Sequence, residues 1–212
     1  SEIELCSIQL PGREERIREQ PYTRLAPLAL ALSEAMMPYL DRPFAFYGHS
    51  MGALIAFAVA LRLRTVYNLQ PVALHLAAFR APQVPSPYGK VFHLPEEVLK
   101  AVLRADGIPA ALLQNEEVMQ ALLPTLRADY EVCDTYEYQE EPPLDCPFYL
   151  YGGQEDIRVR EADMADWPMH STAASHFSLL PGSHLFLHTS QDRLLAEIIQ
   201  HLGLSLASSF PV

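Results

Sequence analysis

The stretch Phe44-Ala45-Phe46-Tyr47-Gly48-His49-Ser50-Met51-Gly52-Ala53-Leu54 constrains the fold of this chain more than any other. Residues 44–47 are a short apolar run that ends at Gly48, as a buried parallel strand does. Residues 52–64 are apolar nearly all round and read as a buried helix. Between the two lies Gly-x-Ser-x-Gly, the context of a nucleophile elbow. Such a turn is expected to be so tight that a Cβ at either flanking position would clash, which accounts for Gly48 and Gly52. It lifts the Ser50 hydroxyl above the C-terminal edge of a sheet. It also sets that hydroxyl at a helix N-terminus, where free N–H groups favour a developing anion, and the Met51 N–H is the candidate oxyanion-hole donor.

The remaining pattern extends this unit in both directions. Residues 3–8 read as a strand, 11–23 as a charged surface loop, and 25–40 as a helix with Pro27 in its first turn. Residues 71–76, 148–151 and 176–179 read as further strands, and 192–202 as a closing helix. Strands alternating with helices imply a mostly parallel sheet with helices on both faces, an α/β fold. From Ala81 the texture changes. Prolines 82, 85, 87 and 95 break regular structure, and amphipathic helices follow over 96–104 and 115–130. In the second, Met119, Leu122, Leu123, Leu126 and Tyr130 recur at steps of three and four, with Asn115 as its cap. The expected organisation is a core formed by residues 1–80 and 146–212, with residues 81–145 inserted as a helical lid.

A serine hydroxyl is a weak nucleophile near neutral pH, so a base and an orienting carboxylate must accompany it. In this architecture they follow in the order serine, acid, histidine. Tyr149-Leu150-Tyr151-Gly152-Gly153-Gln154-Glu155-Asp156 offers Asp156 after a late strand, with Glu155 beside it. Leu179-Leu180-Pro181-Gly182-Ser183-His184 offers His184 after the last one. Both stand where strands end, the rim expected for a site in such folds. His49 lies inside the elbow with its side chain expected to point away from the nucleophile, and His75 reads as a core residue. His184 and His188 are spaced for a helical metal pair but lack an accompanying carboxylate or thiolate, so no metal is expected. No glycine-rich phosphate loop is present, so no cofactor is expected.

Composition excludes other classes. Hydrophobic residues make up 50% of the 212 and charged residues 19%, enough apolar material for a sizeable core. A formal charge of −11 argues against a nucleic-acid partner, which needs a basic face. No apolar run is long enough to cross a membrane as a helix, and no leader is evident. Cys6, Cys133 and Cys146 are scattered and read as reduced core thiols of a cytoplasmic protein.

Gly48-His49-Ser50-Met51-Gly52-Ala53 resembles the elbow of type II thioesterases, the free-standing editing enzymes of polyketide and nonribosomal peptide assembly lines. Gln9-Leu10-Pro11-Gly12-Arg13-Glu14 resembles a loop typical of that family, and Leu126-Arg127-Ala128-Asp129-Tyr130 the close of its lid helices. Pro142-Pro143-Leu144-Asp145-Cys146-Pro147 resembles the entry to its next strand, and the segments bearing Asp156 and His184 match as well. The resemblance implies an α/β-hydrolase fold, with Ser50 as nucleophile, His184 as general base and Asp156 as the orienting acid. It implies hydrolysis of acyl groups from the phosphopantetheine arm of an acyl or peptidyl carrier protein, with the lid over an acyl cavity that Met119, Leu122, Leu123 and Leu126 could line. Most of these four read instead as simply packing the lid onto the core.

Carrier domains are usually acidic, as this chain is, so docking needs a local patch. Arg13, Arg16, Arg18 and Arg24 form a candidate, but Glu14, Glu15 and Glu19 interrupt it and make it read as a solvated loop. The alternatives are a hydrolase of small-molecule esters on the same fold, or a non-catalytic remnant of it. The default expectation is a monomer. Members of the resembled family carry a strand and a glycine-rich loop before Leu-Pro-Gly-Arg, the loop supplying a second oxyanion N–H. Nothing here corresponds to them, so the expectation is a chain whose N-terminal strand or strands are missing, through truncation or incomplete order.

Overall fold

A computed structural model describes residues 3–209, with side chains from 3 to 203. Four parallel strands lie in the order β1 (Ala45–His49), β2 (Ala73–Ala77), β3 (Phe148–Gly153) and β4 (Ser175–Leu180). Parallel neighbours need long crossovers, and helices supply them. They are α1 (Leu25–Met36) before β1, α2 (Met51–Arg62) between β1 and β2, and α3 (Glu96–Ala105), α4 (Ala110–Leu113) and α5 (Glu116–Asp134) between β2 and β3. After β3 comes α6 (Glu161–Met164), and α7 (Phe186–Thr189) and α8 (Gln191–Ser209) close the described chain.

Strand alternation sorts the core into two layers. Leu74, Leu76, Phe148 and Leu150 face one side and pack with Leu28 of α1, with Leu54 and Phe57 of α2, and with Trp167. Ala73, Ala77, Tyr149 and Tyr151 face the other, against Phe186 of α7 and Leu194 of α8. Every residue of β2 and β3 is buried, as a strand covered on both faces requires. His75 shares the second face, stacked on Tyr149 and hydrogen-bonded to the Tyr151 hydroxyl at 2.9 Å.

The expected strand over residues 3–8 is not formed. Ile3, Leu5 and Ile8 are 52%, 88% and 51% exposed, and no described segment pairs with them. Their alternation has the period of a strand, but a strand exists only where a neighbour takes up its N–H and C=O groups. Among the described residues β1 pairs with β2 alone.

The segment between β2 and β3 has its own apolar cluster of Val91, Leu99, Leu103, Leu113 and Met119, with Leu123, Leu126 and Tyr130 at its margin. Leu122, expected on the same face, is 40% exposed. Asn115 caps α5 by accepting from the Val118 N–H at 3.1 Å. The opposite side of α5 is tied to the N-terminal loop. Thr125 Oγ1 donates to the Gly12 carbonyl at 2.7 Å, Arg13 pairs with Asp129, and Arg24 with Glu131. Arg16 pairs with Glu19. Three of the four arginines considered as a docking patch are therefore committed to carboxylates within the chain.

Candidate active site

The turn from β1 into α2 forces Ser50 to φ 53° and ψ −124°, a left-handed conformation costly for a residue with a Cβ. Its N–H donates to the Ala77 carbonyl at 2.8 Å, which pins the elbow to the end of β2. A Cβ on Gly48 would run into the Gly52 carbonyl and stand 2.6 Å from the Ala53 nitrogen, so only glycine fits there. Gly52 is different. A Cβ at that position meets nothing within 4 Å, so the expectation that both glycines relieve a clash holds for Gly48 alone. Met51 is the first residue of α2, and its N–H has no intrahelical acceptor.

The loops after β3 and β4 come together at the same end of the sheet. The Gln154 N–H donates to the Leu180 carbonyl at 2.9 Å, and the Glu155 N–H to the Gly182 carbonyl at 3.0 Å. Gly153 makes this approach possible, because a Cβ there would stand 2.6 Å from the Gly182 oxygen. Gly182 itself is at φ 121°. The result separates the two candidate acids. Glu155 is exposed, whereas Asp156 is buried, with Oδ2 2.8 Å from His184 Nδ1. Its Oδ1 accepts from the N–H groups of Arg158 at 2.8 Å and Val159 at 3.0 Å. Burial pushes the Asp156 carboxyl up, but the hydrogen bond and charge of His184, with those two N–H groups, outweigh it and leave the group below its ordinary range.

His184 Nε2 lies 2.9 Å from Ser50 Oγ. With Nδ1–H donating to Asp156, Nε2 is the nitrogen left to accept the serine proton. Both ring nitrogens are engaged, so His184 has none to share with His188 as a metal ligand. The chain of contacts from Ser50 through His184 to Asp156 thus joins three residues from three separate loops. Sequence reasoning passed over a fourth. The His49 side chain donates from Nε2 to the His184 carbonyl at 2.8 Å and packs on Phe186, ring centroids 5.1 Å apart. Burial, then the neighbouring His184, brings its pKa down to about 4, so the ring is neutral. Its place in the elbow one residue before the serine was the available signal. His75 and His170 are buried and bonded elsewhere, to the Tyr151 hydroxyl and to Gln83.

The model of the thioesterase domain family matches residues 1–203 of this sequence. The chain belongs to that family. Among known proteins this thioesterase is 43% identical over 201 residues to linear gramicidin dehydrogenase LgrE of Brevibacillus parabrevis, covering 93% of this chain and 76% of that one. It is 40% identical over 207 residues to the gramicidin S biosynthesis protein GrsT of Aneurinibacillus migulanus, with 97% and 81% covered. Among solved structures it matches the type II thioesterase BorB from the borrelidin biosynthetic cluster with a TM-score of 0.82 and 33% identity, covering 92% of this chain and 79% of that one. LgrE is named as a dehydrogenase, but this chain pairs its elbow serine with a histidine and has no glycine-rich nucleotide loop.

The thioesterase also has a groove of about 330 Å³ between the connection after β2 and the end of α5, lined by Arg80, Val84, Pro85, Cys133, Tyr136 and Tyr138 among others. Met119, Leu123 and Leu126 pack instead within the apolar cluster of the helical segment. Among the described residues no helix is long and apolar enough to cross a membrane.

Proposed function

We propose that Ser50, His184 and Asp156 are the nucleophile, general base and orienting acid of a hydrolase that releases acyl groups from the phosphopantetheine arm of carrier proteins in peptide or polyketide assembly. The observation that carries this reading is the unbroken path from Ser50 Oγ to His184 Nε2 at 2.9 Å and from His184 Nδ1 to Asp156 at 2.8 Å, in a chain of the thioesterase family. As Ser50 Oγ attacks the thioester carbon, His184 takes its proton, and the oxyanion forms beside the Met51 N–H. One such donor lowers the barrier by about 3 kcal/mol. The carbon–sulfur bond breaks, and the proton on His184 goes to the departing sulfur. Water then repeats the sequence. His184 takes its proton, the hydroxide oxygen bonds to the acyl carbon, and the Ser50 oxygen leaves with the proton restored.

Residues 81–145 act as a lid in this reading, held together by their own apolar cluster. All three residues come from one chain, so a monomer suffices. The three cysteines are free, Cys146 buried but Cys6 exposed rather than in the core as expected, and free thiols fit a cytoplasmic site of action. The charge of −11 disfavours a nucleic-acid partner.

The test is adduct formation with a serine-reactive acyl phosphonate, located by mass spectrometry, beside turnover of an acyl-carrier thioester and an aryl ester. The expected result is an adduct on Ser50, faster turnover of the carrier thioester, and loss of nearly all activity in Ser50→Ala. An adduct elsewhere, or full activity in Ser50→Ala, overturns the assignment. A preference for the aryl ester overturns the carrier substrate while leaving the three roles standing.

A further inference from the structure

Three observations converge on the turn that ends α3. Gly107 lies at φ 99° and stops the helix there, its N–H donating to the Arg104 carbonyl at 3.1 Å. This turn aims Asp106 at the loop after β3, where its Oδ1 lies 3.0 Å from Arg158 Nε in an ion pair, with side chains only 14% and 18% exposed, that is a charge contact without hydrogen-bond alignment. The Tyr130 hydroxyl of α5 donates to the other oxygen of Asp106. The Arg158 guanidinium in turn lies 4.7 Å over the Tyr88 ring, and the Tyr88 hydroxyl donates to the Ile157 carbonyl at 2.9 Å.

The backbone of the same arginine holds Asp156, since its N–H donates to Asp156 Oδ1 at 2.8 Å. The neighbouring residue of the α3 turn touches the other loop. A Cβ on Gly107 would stand 3.5 Å from Leu185 and 3.6 Å from Ser183, the residues on either side of His184. Two consecutive residues of the helical segment thus lie beside both loops, one paired by charge and one facing the Ser183 and Leu185 side chains.

We propose that Asp106 and Arg158 are a positioning pair that seats the helical segment on the loops bearing Asp156 and His184, and that this seating adds to the main-chain hydrogen bonds between the two loops in aligning acid with base. Neither side chain reaches the reacting atoms, so they act through the residues beside them. The proposal rests on the assigned roles of Ser50, His184 and Asp156. It makes the arrangement of acid and base depend in part on closure of the lid.

The experiment compares the full chain with Arg158→Met, Arg158→Lys, Asp106→Asn, Tyr130→Phe and the Asp106→Asn/Arg158→Met double variant. It reads kcat and KM separately on an acyl thioester, together with hydrogen exchange over residues 153–159 and 182–186. Arg158→Met and Asp106→Asn are each expected to lower kcat by about ten- to a hundredfold, as a displacement of about an ångström in acid or base would. The double variant should lose no more than the worse single one, because the two changes break the same contact. Hydrogen exchange should rise at both loops in the Asp106 variant, although Asp106 belongs to neither. Arg158→Lys should recover most of kcat, and Tyr130→Phe, which keeps the ion pair and removes one hydroxyl, should show a smaller loss in the same direction.

The proposal is overturned if the folded single variants keep kcat within about twofold, or if their losses multiply in the double variant. Should both of these variants fail to fold, Tyr130→Phe and Arg158→Lys decide it. Wild-type kcat in Tyr130→Phe with no recovery in Arg158→Lys sinks it. Phosphonate labelling in the same set keeps the two readings apart, since labelling at Ser50 in every variant leaves the three roles intact whatever becomes of the pair.

Discussion

His49 donates from Nε2 to the main-chain carbonyl of His184 at 2.8 Å, so the residue before the elbow serine supports the loop that carries His184. Both partners of the Ser50–His184 contact are therefore braced by the same turn. His49→Ala removes the donor and opens space beside Phe186. The expected outcome is a fall in kcat of about tenfold from a displaced His184, with stability reduced by about 1 kcal/mol for the lost hydrogen bond. His49→Gln, which keeps a side-chain N–H, should recover part of kcat. Thiol release from an acyl thioester, measured beside urea unfolding, checks both.

Asp156→Asn preserves shape but changes which nitrogen of His184 carries the proton. The amide oxygen can still accept from Arg158 and Val159, which leaves the –NH2 group facing His184 Nδ1. Nδ1 must then be the acceptor, Nε2 keeps the proton, and the base can no longer take one from Ser50. A drop in kcat of about 10³–10⁴ is expected with the thermal midpoint nearly unchanged. A large loss of stability alongside it would mean that Asp156 is chiefly structural.

The two elbow glycines should behave differently. Gly48→Ala places a Cβ against the Gly52 carbonyl and the Ala53 nitrogen, both backbone, and the expected outcome is a protein that does not fold. Gly52→Ala meets nothing within 4 Å and lies inside α2, so stability should hold or rise by up to about 1 kcal/mol. Soluble yield and thermal unfolding of the two variants separate these outcomes.

Two buried histidines give stability a definite pH dependence. Burial and nearby histidines bring His49 to about 4 and His75 to about 3, both below the ordinary histidine value. Between those values and about 6.5 the unfolded chain binds the proton and the folded one does not. Stability is therefore fully present above pH 6.5 and falls as pH drops toward 4, each group contributing up to about 1.4 kcal/mol per pH unit. Asp156, held low, acts in the same direction at still lower pH. Urea midpoints should rise from about pH 4.5 and level off near pH 7, and His75→Gln should flatten the rise by about one proton. A midpoint independent of pH over this range would contradict the burial of both rings.

Much of the site was legible in the chain itself, because its local demands are strict. An apolar strand followed by Gly-x-Ser-x-Gly and an apolar helix leaves few conformations open, and the serine adopts the strained one this pattern requires. The places after β3 and β4 were legible for the same reason, as glycines at 152, 153 and 182 mark where strands end. Tertiary contact decided what depends on neighbours distant in sequence. Asp156 was chosen over Glu155 by burial and by the N–H groups of Arg158 and Val159, and no pattern within the loop separates the two carboxylates. Residues 3–8 have the alternation of a strand but no partner among the described residues, since pairing belongs to the sheet and not to the segment. Leu122 keeps helical step with Met119 yet faces outward, because the period names a face but not how far the neighbouring helices extend over it. The roles of His49, Asp106 and Arg158 lay beyond sequence for one physical reason. Each acts through a contact between loops that only the closing of the sheet brings together.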